Sequence, residues 1–289
     1  MPELPEVETV RRGLQPAMEG KRILGVQTRR KDLRFPFPAN FNHRLIDAKV
    51  KRLGRRAKYL VADLSTGEAL IMHLGMTGRF TVSMSKGAKK PGQKPGKFHH
   101  EGGEDEKHDH VVFEMQGGAK IVFNDARRFG FMDLWSIDDL DHYPAFEGMG
   151  LEPISNEFSG AYLEEAFEGK KTPVKAALLD QRVVAGLGNI YVCEALFRAQ
   201  VNPRKLAGAI KRDKLERLAV EIRKVIEEAI AAGGSTISDF ATTTGELGYF
   251  QHRFQVYDRE GDPCIVCDKP IKRMVQSGRS TFYCAHCQK

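Results

Sequence analysis

The chain opens Met1-Pro2-Glu3-Leu4-Pro5-Glu6-Val7, which places a secondary amine one cleavage event away from a free, exposed N-terminus. If Met1 is removed, Pro2 becomes an N-terminal imino acid with Glu3 beside it. An α-amino group titrates near pH 8 against about 10.4 for a lysine side chain, so roughly a tenth of it is unprotonated at pH 7, against under ~0.1% of lysine. Such an amine attacks electrophilic carbon, for instance a sugar anomeric centre, and forms an iminium or Schiff base. Pro2 also suits the first turn of a helix, where its missing N–H costs nothing, and Val7, Val10 and Leu14 continue at helical spacing. On that helix Glu3 and Glu6 share one face. The same residues equally suit a surface helix whose glutamates complement the positive end of its dipole, with no chemistry at all.

At the other end Cys264-Ile-Val-Cys267 is followed, after sixteen residues, by Cys284-Ala-His-Cys287. Two pairs at this spacing, each in a tight turn, match a four-thiolate zinc ribbon. Two disulfides are the alternative, but no secretory signal opens the chain, and in a reducing cytosol thiolates are more often metal ligands. Four cysteine ligands leave no open coordination position, so one structural Zn2+ is expected. His286 lies inside the second pair and could ligate, although four thiolates suffice. Cys193 sits in a helical apolar pattern and reads as a small buried hydrophobe.

The rest of the chain must position these two ends. Its 289 residues suggest two domains, or two plus a small module, and 41% hydrophobic content supports real cores. No apolar run reaches membrane-spanning length, so a cytoplasmic protein is expected. Of the net charge of +7, residues 1–60 hold fifteen Lys/Arg against six Asp/Glu, an excess of +9, which leaves −2 for everything after them. The bases cluster as Arg29-Arg30-Lys31, Lys49-Val-Lys51-Arg52 and Arg55-Arg56-Ala-Lys58. Any one cluster can be a solvated face; an excess concentrated around the candidate nucleophile favours a bound phosphate backbone.

Strand-like runs at 23–28, 59–64, 69–74, 80–82, 111–115, 120–123 and 131–136 argue a β-sandwich or barrel flanked by helix. Between 83 and 107 the sequence is rich in Gly, Lys, Pro and Glu and reads as a flexible excursion. Its His99 and His100, with His108 and His110 beyond, suit either a second metal site or a solvated loop entering a strand. After residue 137 the pattern turns helical: 173–181, then Gly186-Leu-Gly188-Asn189 into 190–200, then Leu215, Leu218, Ile222, Val225, Ile226 and Ile230 before a C-capping Gly233-Gly234. Glycines and a short amide at a helix start can hold a phosphate, although glycines before helices are common.

Several of these segments together resemble bacterial formamidopyrimidine-DNA glycosylases: Pro2-Glu-Leu-Pro-Glu-Val-Glu-Thr9, His73-Leu-Gly-Met-Thr-Gly78, Asn124-Asp-Ala-Arg-Arg-Phe-Gly130, 178–197 with Gly186-Leu-Gly-Asn-Ile-Tyr191, and the ribbon with Gly278-Arg-Ser-Thr281. The resemblance spans nearly the whole chain in motif order. Leu4 favours this branch over the related endonuclease VIII branch, which usually carries glycine there.

The resemblance implies an α+β multidomain fold. It has an N-terminal β-sandwich domain with flanking helices over 1–136 (84–107 a flexible insertion), a linker over 137–153, a helical helix–two-turn–helix domain over 154–250 and a zinc-ribbon hairpin over 251–289. It implies a bifunctional DNA glycosylase/AP lyase of base excision repair, monomeric and associated with the bacterial nucleoid. The partner would be double-stranded DNA with a damaged purine, 8-oxoguanine or a formamidopyrimidine.

By the same resemblance, Pro2 would attack C1′ of the damaged nucleoside and Glu3 would protonate the sugar ring oxygen. Lys58 would contact DNA and donate a proton during elimination, and Arg279 would contact phosphate and serve δ-elimination. Met76, Arg127 and Phe129 match residues that fill the gap left by the flipped nucleotide. Asn189 matches a phosphate contact, Glu6 falls among the DNA-binding residues, and 242–249 matches a mobile loop. Cys264, Cys267, Cys284 and Cys287 would hold the zinc. The chain departs from the family pattern at Ala126, where proline is usual, at Asp258 and Asp268, which replace turn glycines, at Cys193, and in the length of 83–107. Two rival readings stay open: a pyrimidine-preferring, endonuclease VIII-like specificity, and a zinc-ribbon protein that binds distorted DNA without chemistry.

Overall fold

A computed structural model of the chain describes residues 2–84, 106–235 and 248–289. Most of the expected excursion, including His99 and His100, and 242–247 of the expected mobile loop lie outside them. The chain divides into two compact units, Met1–Glu147 with Gly233–Tyr249, and Gly148–Ala232 with Phe250–Lys289.

In the first unit, helix α1 (Leu4–Met18) begins at Glu3, whose N–H donates to Glu6 Oε2 at 2.8 Å. Its apolar stripe, Val7, Val10, Leu14 and Met18, is almost fully buried. Among the described residues eight strands follow, with a short helix α2 (Phe41–Leu45) after the first. One antiparallel sheet orders β1 (Ile23–Thr28), β6 (Asp109–Met115), β7 (Ala119–Asn124) and β5 (Arg79–Met84). The other orders β2 (Val50–Arg56), β3 (Tyr59–Leu64), β4 (Glu68–His73) and β8 (Phe131–Ser136). Phe80, Phe113 and Phe123 from the first sheet, Leu53, Leu60, Leu70 and Met72 from the second, and the α1 stripe form one continuous core. Each such side chain contributes about 1.5–3 kcal/mol by leaving water, so the sandwich stands on apolar burial.

Seven strands match the seven expected runs to within two residues at every end; β5 extends through Met84. In the sequence, strand β2 shows only as a basic cluster. Its buried residues Val50 and Leu53 are three apart because the register with β3 shifts between Val50 and Arg52, and this irregularity erases the period-two signal.

The second unit contains α3 (Gly160–Phe167), α4 (Val174–Leu179), α5 (Asn189–Arg198) and α6 (Arg212–Ala231). The sequence reading missed α3, which starts where Ser159 Oγ accepts the Tyr162 N–H at 3.2 Å. The ribbon hairpin pairs β9 (Lys272–Gln276) with β10 (Arg279–Tyr283) around Ser277 and Gly278, at φ +49° and +73°. Two left-handed residues in a two-residue loop give the turn that matches strand twist, and glycine takes one of them without strain. Among the described residues, no helix is long and apolar enough to cross a membrane.

Candidate active site and nucleic-acid interface

The start of α1 is enclosed by the fold. Pro2 and Glu3 are both buried, because the fully buried Leu4 and Val7 draw the first turn against the core. Glu6 is buried too, and it clasps backbone: Oε2 takes the Glu3 N–H and Oε1 takes the Ser235 N–H, each at 2.8 Å. Gly234, at φ +81°, makes room for this, since a Cβ there would lie 3.0 Å from Glu6 Oε1.

Lys58 occupies the two-residue turn between β2 and β3, behind Ala57 at φ +49°, and is 8% exposed. Its charge bears on His73 at the end of β4. Burial first, and then the positive charges of Lys58 and Arg34, hold the His73 imidazole down to about 4, so the ring is neutral at pH 7. Its Nδ1 accepts the Gly75 N–H at 3.1 Å and fixes the turn that leads to Met76.

Met76 and Phe129 project from two loops, 74–78 and 125–130, each with 41% of its surface exposed. Arg127 lies with its guanidinium 4.6 Å over the Phe129 ring. The loops touch through backbone: at Gly75, φ +63°, a Cβ would fall 2.3 Å from Gly130 N. The three residues expected to fill a gap are therefore neighbours in one unit.

In the second unit Asn189 opens α5, and its Nδ2 donates to the Ser280 carbonyl at 2.9 Å. Lys175, fully buried, donates to the same carbonyl at 2.8 Å and to Thr281 Oγ1 at 2.7 Å. Arg279, exposed, leads β10 one residue before this anchored carbonyl. The four cysteine sulfurs lie within 4.8 Å of one another, Cys267 to Cys284 at 3.5 Å and Cys264 to Cys287 at 3.9 Å.

Family models match three successive stretches: the formamidopyrimidine-DNA glycosylase N-terminal domain over residues 1–132, the H2TH domain of the same enzymes over 149–241, and a zinc finger found in FPG and IleRS over 261–289. Over the full length of both chains, the sequence is 57% identical to the formamidopyrimidine-DNA glycosylase of Bradyrhizobium sp. (strain ORS 278) and 53% identical to that of Dinoroseobacter shibae.

The chain belongs to the formamidopyrimidine-DNA glycosylase family.

Solved structures of the family agree. The MutM (Fpg) protein of Thermus thermophilus superposes with a TM-score of 0.82 at 35% identity, covering 99% of this chain and 98% of that one. The Lactococcus lactis Fpg in complex with an abasic site containing DNA gives 0.85 at 30% identity over 99% of both chains. Membership makes this chain a DNA-repair enzyme, a formamidopyrimidine-DNA glycosylase with the AP lyase activity of that family, on an α+β fold. The zinc ribbon fits its metal: a tetrahedron with 2.3 Å zinc–sulfur bonds has edges of about 3.8 Å, close to the separations above and far from a bonded disulfide.

Several expectations from the sequence resolve differently once the fold is known. The excess of positive charge is partly internal: Glu8 binds Arg11, Arg12 and the deeply buried Arg55 at 2.9, 2.8 and 3.2 Å. Burial alone would raise the Glu8 carboxyl, but the hydrogen bonds from Arg11 and Arg12 and the charges of Arg11 and Arg55 outweigh it and hold it at about 2. Among the described residues the four cysteines are the one His/Cys/Asp/Glu group arranged to hold a metal. His110 is instead buried, with Nε2 2.9 Å from the Asp125 carbonyl. Asp258 and Asp268 stand at φ +58° and +57°, which explains why glycine is usual there. Cys193, by contrast, is the small buried hydrophobe expected of it, and packs with Phe197, Cys264 and Cys284 beneath the ribbon.

Lys175, Glu194 and Asp125 were missed. Glu194, on α5, accepts backbone N–H groups from Gln255, Val256 and Tyr257 at 2.8–3.0 Å and fixes the segment that enters the ribbon. The available signal was a charged residue within an otherwise apolar helical run, at Lys175 in Val174–Leu179 and at Glu194 in Asn189–Arg198.

Proposed function

We propose that this enzyme excises oxidised purines, 8-oxoguanine and formamidopyrimidines, from double-stranded DNA through a Schiff base on Pro2, followed by β- and δ-elimination. It would act as a monomer at the nucleoid. The observation that carries this reading is the enclosed start of α1, where Pro2 and Glu3 sit side by side and Glu6 fixes the Glu3 backbone. Once Met1 is removed, the unprotonated fraction of the Pro2 amine is nucleophilic, with Glu3 beside it.

Pro2 N would form a bond to C1′ as the bond to the damaged base breaks; the base leaves with its electron pair and takes up the proton that the attacking amine releases. Glu3 would then protonate the ring oxygen, opening the sugar to an iminium. That cation acidifies the C2′ hydrogen; its loss expels the 3′ phosphate, and a second elimination, assisted by Lys58 and Arg279, expels the 5′ phosphate. Met76, Arg127 and Phe129 would occupy the vacated stack, suited to it as an adaptable thioether, a hydrogen-bond donor to the orphaned base and a wedge. Asn189 would hold phosphate. The solved complexes of the Lactococcus lactis relative with abasic-site and Fapy-dG containing DNA support this substrate class.

Borohydride trapping on an 8-oxoguanine·cytosine duplex tests the proposal. The wild type should give a covalent adduct, and Pro2→Gly should reduce it at least about 100-fold. Tight binding without an adduct would contradict the chemistry, and faster excision from a thymine glycol·adenine duplex would contradict the purine assignment.

A further inference from the structure

Residues that invade a base stack must keep their spacing while the duplex resists them, yet Met76 and the pair Arg127 and Phe129 belong to loops about fifty residues apart in sequence. Beneath those side chains the two loops are joined by one hydroxyl and one carboxylate. Thr77 Oγ1 donates to Asp125 Oδ1 at 2.5 Å and accepts the Arg127 N–H at 3.2 Å. A hydroxyl has one hydrogen and two lone pairs, so both bonds are made at once. Asp125 is fully buried; its Oδ2 takes the Gly130 N–H at 2.8 Å, and its carbonyl takes the Arg128 N–H at 3.2 Å and faces His110 Nε2 at 2.9 Å.

The turn needs such support. Arg128 stands at φ +55°, a conformation that non-glycine residues adopt at some cost, and Ala126 supplies no ring to stiffen the approach to it. The backbone contact at Gly75 brings the loops together, but a contact between two glycines does not fix their register. The Thr77 hydroxyl does, because it belongs to the residue after Met76 and bonds the Asp125 carboxylate and the amide of Arg127 together.

We infer that Thr77 and Asp125 are positioning residues for nucleotide extrusion, which lock the two loops so that Met76, Arg127 and Phe129 enter the helix as one body. This rests on the reading of those three as gap-filling residues. A brace of this kind acts only where there is a stack to invade. Its loss therefore falls on duplex substrate and spares chemistry on a strand that needs no extrusion.

The test uses the full, zinc-loaded chain with Thr77→Val, which keeps the shape and removes the hydroxyl, and Thr77→Ser, which restores it. Two rates are compared: single-turnover excision from an 8-oxoguanine·cytosine duplex, and borohydride trapping on a single-stranded abasic oligonucleotide. Thr77→Val should slow the duplex reaction about tenfold, with a loss about fivefold or more beyond that on the single strand, and Thr77→Ser should stay within about twofold of wild type. A less stable protein loses both rates in proportion, so the ratio separates positioning from folding. Equal losses on both substrates, a Thr77→Val enzyme as fast as wild type on the duplex, or no rescue by serine would overturn the inference while leaving the proposed function standing. A wild type that excises nothing would overturn both.

Discussion

In the first unit the candidate nucleophile rides on a helix whose Val7, Val10, Leu14 and Met18 join side chains from two four-stranded sheets in one core. In the second, the hairpin that carries Arg279 rests on a cluster of seven buried residues, two of them metal-binding cysteines, helped by the buried Lys175 and Glu194. The contrast shows two ways to hold a functional backbone segment still. Apolar area suffices where two sheets can face each other; where they cannot, metal ligation and buried polar anchors replace it. The two units should therefore respond differently to the same perturbation.

Zinc removal separates them most strongly. Ligation by four thiolates contributes on the order of 10 kcal/mol to folding a module of this kind. Chelation should abolish hydrogen-exchange protection across Lys272–Gln276 and Arg279–Tyr283, while the melting midpoint read from Trp135, the single tryptophan and part of β8 in the first unit, moves by under about 2 °C. Collapse of the Trp135 signal together with the ribbon would break the contrast.

Acid acts on the first unit through His73. An unfolded histidine takes up its proton near pH 6.5, whereas the folded ring, disfavoured as a cation by burial and then by Lys58 and Arg34, resists down to about 4. Over that interval the unfolded chain binds more protons, so stability falls as pH drops from 6.5 to 4, by up to about 3 kcal/mol. Glu8, held at about 2, extends the loss from about pH 4.5 downward, because its ion pairs with Arg11, Arg12 and Arg55 persist until it is protonated. Trp135-monitored denaturation at a series of pH values checks this, and His73→Phe should flatten the slope between pH 6.5 and 4.

The smallest effect lies in the ribbon and its approach. Asp258→Gly and Asp268→Gly should each stabilise the second unit by about 0.5–1 kcal/mol, since both aspartates hold a left-handed backbone that glycine adopts without strain. Denaturant-dependent exchange of the ribbon amides measures it; a loss of stability would show that the aspartate side chains contribute something the backbone angle does not reveal.

Much of this was legible in the sequence because the signals are local. The strands at 23–28, 59–64 and 131–136 coincide with the observed β1, β3 and β8, and the cysteine spacing alone gave the metal group. The signals that failed were those that depend on a partner far along the chain. The basic residue Arg55 looked free for phosphate until its pairing with Glu8, 47 residues away, came into view. The Thr77–Asp125 bond spans 48 residues and leaves no periodic trace. The enclosure of Pro2 and Glu3 follows from tertiary packing around Leu4 and Val7, which no local pattern encodes.

The central claim is that the nitrogen of Pro2 is the atom that joins the sugar. Protease digestion and mass spectrometry of the borohydride-trapped complex test it most directly: the deoxyribose mass should reside on the N-terminal peptide that begins at Pro2, with Met1 absent. A sugar attached to Lys58 or any other lysine, or full activity in protein that retains Met1, would contradict the account.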